Sequence, residues 1–274
     1  MAALPRTRAP AATAATAAHA GGLVDLRLAN GARILVLPTA GGPGRGGAAA
    51  VQLWVGAGTS AERPDEHGCA HLLEHMLFKP LAPQHVPKVM LRSAGVPASA
   101  LAGAVDLASA LEAMGGDSNA FTSHDETVVH TTVPASAVAP AVALIAAAAL
   151  RPALAAATLA QEREVVVEEI AQYDDEPGQR VFQALLRRLH GRHSYARPVL
   201  GLAREVRSHS AARLRGYHRR NYAGDRITLV VVGAVEVPRV VAAARRALGW
   251  LPAARPLLAE APPATQQVGP RVHL

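Results

Sequence analysis

The sequence has a single cysteine in 274 residues, so no disulfide can form within the chain and the fold does not depend on an oxidising compartment. Aromatic residues make up only 3% of it, which leaves Ala, Val and Leu to build most of the core. Uninterrupted apolar runs of about eighteen residues are also missing, and the alanine-rich stretch near 135–150 is too short to span a membrane. The two arginine-rich stretches, RRLHGRHSYARP and RLRGYHRRNY, lack the base-stacking aromatic pattern of a single-strand binder and any groove-reading motif. The net charge of +7 is therefore read as a solvated basic face, and nucleic acid is not an expected partner. The first twenty residues carry arginines and a small-residue end but no apolar segment of the export type, which makes residues 1–20 a flexible tail. That reading favours the cytoplasm and leaves export open.

Half of the chain is hydrophobic, enough for a substantial core. LVDLRLANGARILVLP alternates on both sides of Asn30-Gly31, the pattern of a hairpin, and GGPGRGG follows as a turn with no phosphate-loop signature. AAAVQLWVGAG gives a third strand, and a helix is expected to start near Asp65 or Glu66, acids suited to a helix N-terminus. Residues 80–105 carry four prolines and no sustained period, and are expected to be an inserted surface excursion. Beyond them come a short helix closed by glycine, strands in SNAFTS and ETVVHTTVP, and helices over 135–149, 155–173 and 176–189. A further helix follows Ala203, RITLVVVGAV is a buried strand, and 237–248 is the last helix. Early strands with helices between them indicate an α+β domain over 21–250, with a mostly antiparallel sheet packed by helices on one side. Residues 251–267 read as a proline-rich linker, and 268–274, VGPRVHL, as the first strand of a second domain.

The chemistry concentrates in HLLEH at 71–75. Positions i, i+3 and i+4 share one helix face, so His71, Glu74 and His75 project together while Leu72, Leu73, Met76 and Leu77 flank them. Three polar groups set among apolar ones need a compensating partner, and two histidines at i and i+4 can hold Zn²⁺ with a third protein ligand. Glu74 would then lie beside the metal, placed to accept a proton from water attacking a carbonyl and to pass it to the leaving amine. Cys69 is more readily a small core residue than a fourth ligand, since i and i+2 point to different faces. A second helix, QEREVVVEEI, places Glu162 and Glu169 two turns apart with Val165 and Val166 between them, but Glu164 and Glu168 also share a face. Spacing alone does not choose between these pairs.

GCAHLLEHMLFK, GGDSNAFTSHDET, EREVVVEEI, HSYARPVLG and YHRRNYAGDRITLVVVGAV, in that order, resemble the insulinase/pitrilysin family of zinc peptidases, in which H-x-x-E-H reverses the commoner H-E-x-x-H. The resemblance implies that His71, His75 and Glu169 bind zinc, that Glu74 is the general base, and that Glu162 orients the ligands. It implies that Asn119 and Ala120 lie on the edge strand that receives a peptide substrate by strand addition. It also implies a partner: such enzymes are built from two similar halves closing over the substrate, and this sequence resembles one half. Two activities follow as alternatives, a zinc endopeptidase or oligopeptidase needing a second half or a dimer partner, and a non-catalytic subunit that binds peptide or scaffolds a complex.

Overall fold

The computed structural model describes residues 16–18, 22–39 and 46–253. Its strands are β1 (Thr16–Ala18), β2 (Val24–Arg27), β3 (Arg33–Pro38), β4 (Ala48–Val55), β5 (Asp117–Thr122), β6 (Thr127–Pro134) and β7 (Ile227–Gly233). The α-helices are α1 (Cys69–Leu77), α2 (Lys88–Ser93), α3 (Leu107–Glu112), α4 (Val138–Leu150), α5 (Ala156–Asp175), α6 (Pro177–His190), α7 (Ala203–Ser208), α8 (Ala211–Asn221) and α9 (Val237–Leu248).

The strands form one sheet in the order β1-β2-β3-β7-β4-β6-β5. Every pair is antiparallel except β3 with β7, where Arg33 lies opposite Thr228 and Pro38 opposite Gly233. The alternation in the sequence has a direct cause: one face of the sheet is buried and the other is not. Ile34 and Val36 of β3, Val51, Leu53 and Val55 of β4, and Leu229 and Val231 of β7 are buried, while Leu35, Gln52, Trp54 and Val230 are partly exposed. Helix α4 packs against β4, β6 and α9, and its alanines let it approach closely; ten of its thirteen residues are buried, which is why its apolar pattern runs all round. The sheet is thus mostly antiparallel with helices on its core face, as the sequence indicates.

The turn at Asn30-Gly31 is anchored from outside the hairpin. Gly31 has φ of 91°, and a Cβ there would come within 2.6 Å of the Asp225 Cβ, so only glycine fits. The Asn30 side-chain amide donates to the carbonyls of Leu248 (2.8 Å) and Leu251 (3.0 Å), tying the hairpin to the end of α9.

Three expectations are corrected. Residues 16–18, assigned to the tail, form the edge strand β1, with Thr16 opposite Leu26. The segment 80–105 is not purely a surface excursion: it contains α2, and Leu81, Leu91, Val96, Leu101 and Val105 join the core. Their intervals of ten, five, five and four residues sustain neither a helix period nor a strand period, because the chain touches the core at isolated points. Helix α1 starts at Cys69 rather than near Asp65 or Glu66. Residues 1–15, most of GGPGRGG, most of the 251–267 linker and all of VGPRVHL lie outside the described residues.

Candidate metal centre

Helix α1 begins where Gly68, with φ of 87°, turns the chain, and the early N–H groups of a helix need acceptors. The buried carboxylate of Glu62 supplies them, accepting from Gly68 N (3.2 Å) and Ala70 N (2.8 Å). Burial pushes the Glu62 carboxyl up from its ordinary value, against the pull of His67 and these two amides. Gly68 and Gly201 pack backbone to backbone, since a Cβ on Gly201 would sit 2.7 Å from the Gly68 Cα. The loop holding Leu200 and Gly201 is thereby seated on the start of the helix.

From this start, Leu72, Leu73, Met76 and Leu77 enter the core, and α1 packs against α5, α8 and β5. His71 and His75 face α5, which brings Leu159, Glu162, Val166 and Ile170 as its buried face, with Glu169 half-buried at the end of that stripe. Glu169 Oε2 lies 3.7 Å from His71 Nε2 and 3.3 Å from His75 Nε2. One ligand atom from each of these three residues falls within 4.8 Å of the others. Glu164 and Glu168 are exposed, and Glu164 pairs with Arg207 at 3.3 Å, so the competing pair faces solvent. Of the two valines between Glu162 and Glu169, Val166 is buried and Val165 is 46% exposed. Cys69 is buried outside this cluster, and burial raises its thiol far above the ordinary range.

Burial and mutual contact act on the members of the cluster in opposite directions. Burial depresses His71 to about 4, with Glu169 working against the shift, and its Nδ1 has no partner among the described residues. Burial also acts against a charged His75, but its hydrogen bond with Glu169 and the nearby Glu74 and Glu162 outweigh it and raise its pKa. The same hydrogen bond holds Glu169 below the usual carboxylate range. Two imidazoles and a carboxylate at this separation fit zinc, which takes three protein ligands in catalytic sites and leaves one position open.

Glu74 lies in the same cleft, where the Thr122 hydroxyl donates to its Oε2 at 2.5 Å. Burial raises its carboxyl, with the Thr122 bond partly opposing. Thr122 ends β5, the sheet edge that carries Asn119 and Ala120. On that edge the Asn119 side chain accepts from the Ala120 N–H at 2.8 Å. The cleft has a volume of about 960 Å³ and runs from His71, Glu74 and Glu169 along β5 to α6. Val181, Phe182, Leu185 and Leu189 of α6 are each half or more exposed, and no residue of that helix is buried. Thr122 and Lys79, whose amine meets Glu162 at 2.7 Å, were not singled out from the sequence. Lys79 stands in the motif GCAHLLEHMLFK, but no spacing links either residue to its distant partner.

The model of the family described as Insulinase (Peptidase family M16) matches residues 45–86 and 99–202. The chain belongs to this family. A second model, Peptidase M16 inactive domain, matches residues 208–273, a stretch that includes α8, β7 and α9. The break in the first match, at 87–98, is narrower than the 80–105 insertion read from the sequence. Among insulinase-family relatives, an uncharacterised zinc protease of Mycobacterium tuberculosis is 36% identical over 201 residues, covering 73% of this chain and 42% of the relative. The mitochondrial-processing peptidase subunit beta of Saccharomyces cerevisiae is 26% identical over 204 residues, 74% of this chain and 40% of that protein. The chain thus spans about two fifths of the length of these relatives and matches the N-terminal half of the family's architecture. In fold, it superposes on the first half of the periplasmic protease PqqL from Escherichia coli with a TM-score of 0.70 at 24% identity, covering 88% of this chain and 48% of that one. An M16 inactive domain from Pseudomonas fluorescens gives a TM-score of 0.71 at 24% identity, with 88% and 54% covered.

Proposed function

We propose that the chain is the metal-bearing half of a zinc-dependent endopeptidase or oligopeptidase. The observation that carries this reading is the convergence of His71, His75 and Glu169 within 4.8 Å, with Glu74 in the same cleft and held by Thr122. Zinc held by those three residues would polarise a peptide carbonyl and activate water for attack on it. Glu74, with Oε2 fixed by Thr122, keeps Oε1 to take up the proton released in that attack and to deliver it to the departing amine. The β5 edge lies beside these groups, and a peptide laid along it as an added strand would bring backbone carbonyls in succession past the site. Asn119 Oδ1 covers the Ala120 N–H until a peptide carbonyl replaces it. The exposed apolar residues of α6 suit substrates with apolar side chains, or unfolded polypeptide.

The zinc content of the purified chain, with peptide hydrolysis measured in the presence of a second half, tests the reading. About one zinc per chain is expected, abolished or strongly weakened in Glu169→Gln and retained in Glu168→Gln. The reverse pattern would make Glu168 the ligand and overturn the choice of Glu169. Bound zinc without any hydrolysis in the completed enzyme would instead support the peptide-binding subunit.

A further inference from the structure

Glu162 stands between two groups. Its Oε2 lies 3.5 Å from His75 Nδ1, and its Oε1 lies 2.7 Å from Lys79 Nζ. The Glu162 side chain is 9% exposed, so water offers it little, and the ammonium is its short contact. Lys79 is one turn beyond His75 in sequence, just past the end of α1, and its amine reaches back to α5. The two helices that carry the cluster are therefore tied by this contact as well as through His75 itself.

We infer that Lys79 is a positioning residue for the metal centre: it pins the Glu162 carboxylate against His75 Nδ1 and so keeps His75 Nε2 aimed at the metal. The inference rests on the zinc reading above and adds a residue to it. An imidazole that coordinates through one nitrogen carries its proton on the other, and the acceptor at that second nitrogen sets the tautomer and the ring plane. A glutamate has three side-chain torsions, and an acceptor free to rotate would fix neither. Contact at both oxygens removes that freedom, one through His75 and one through Lys79.

An ordinary exposed ion pair would add little stability and would leave metal affinity unchanged. Zinc affinity is therefore the readout, measured on the full chain by competition with a chromophoric chelator. Lys79→Met is expected to weaken binding about tenfold, the lower end of what losing such an outer partner costs. Lys79→Gln should behave as Lys79→Met does, and Lys79→Arg, which keeps the charge, should recover much of the loss. Since Lys79 acts through Glu162, the double variant Lys79→Met/Glu162→Gln should bind zinc no more weakly than Glu162→Gln alone. Thermal unfolding of the metal-free variants separates a weakened site from a damaged fold. Unchanged affinity in both neutral variants, or losses that multiply in the double variant, would overturn the inference while leaving the zinc reading intact. A parent chain that binds no zinc would defeat both.

Discussion

Glu74 and Thr122 are joined by one hydrogen bond, and their roles separate by substitution. Glu74→Gln keeps the shape of the side chain and removes its capacity to carry a proton, so zinc content should be unchanged while hydrolysis by the completed enzyme falls by about 10²-fold or more. Retained turnover in that variant would remove Glu74 from the mechanism. Thr122→Val is close to isosteric and deletes the donor to Glu74 Oε2. A bond to a charged group contributes about 1.5 kcal/mol or more, so kcat should drop about tenfold with KM and zinc content little altered. Thr122→Ser should restore most of it, since the hydroxyl is the active feature. Equal losses in the Val and Ser variants would show that the hydroxyl alone does not account for the effect and that the packing of the whole threonine side chain is needed.

At the scale of the elements, α8 and the segment before it carry two histidines whose burial can be read in solution. His218 on α8 stacks against Tyr222 with ring centroids 4.5 Å apart and, as the neutral Nε2–H tautomer, donates to the Ala149 carbonyl of α4 at 2.9 Å. His209, just ahead of α8, donates likewise to the His67 carbonyl at 2.7 Å. Burial lowers the pKa of both below the ordinary 6.5, so the unfolded chain binds protons first. Their contribution is intact above pH 6.5 and is lost as the pH falls below it. The melting temperature should therefore fall on acidification below that pH, more steeply in the parent than in His218→Gln, and parallel profiles would show that His218 does not titrate this way. Much of the architecture was legible because the sheet is one-sided: alternation in β3, β4 and β7 is the imprint of one dry and one wetter face. HLLEH was legible because helical spacing alone groups its polar residues, whereas in QEREVVVEEI spacing left two glutamate pairs open and the choice of Glu169 took the resemblance to the peptidase family. What stayed hidden depends on distant partners. The start of α1 is set by Glu62 from outside the helix, and β1 exists through its pairing with β2. The core leucines of 80–105 follow no local period.

Across the whole molecule, some of the basic excess is tied up locally: Arg213 lies 3.7 Å from Asp65, Arg207 pairs with Glu164, and Arg220 pairs with Glu66. No helix among the described residues is long and apolar enough to cross a membrane. The larger fact is the cleft. It holds about 960 Å³ beside the proposed ligands, and one of its walls, α6, has no buried residue among its fourteen. Its wall residues Val181 and Phe182 are 70% and 51% exposed, and Leu185 and Leu189 on the same helix are also half-exposed. Such a site excludes little water, and the donors that α6 brings to it, Arg180 and Arg187 among them, stand on a helix with no buried residue, so the charge that develops on a carbonyl oxygen during hydrolysis would be met by few preorganised donors. The chain spans about two fifths of the length of its zinc-protease relatives, which leaves room for those donors and for a cover to come from the remainder. Without that remainder, the chain is expected to bind zinc and to hydrolyse peptides slowly. Adding a second polypeptide of similar size that supplies the missing half should raise kcat/KM by about a hundredfold or more, the effect commonly attached to preorganised donors at a developing oxyanion. Light scattering recorded on the same samples would show whether the gain tracks formation of the complex, or of a dimer of this chain. A zinc-loaded monomer that cleaves peptides at a rate unchanged by any partner would show that one half carries the whole reaction, and that the open cleft is already the working form of the site.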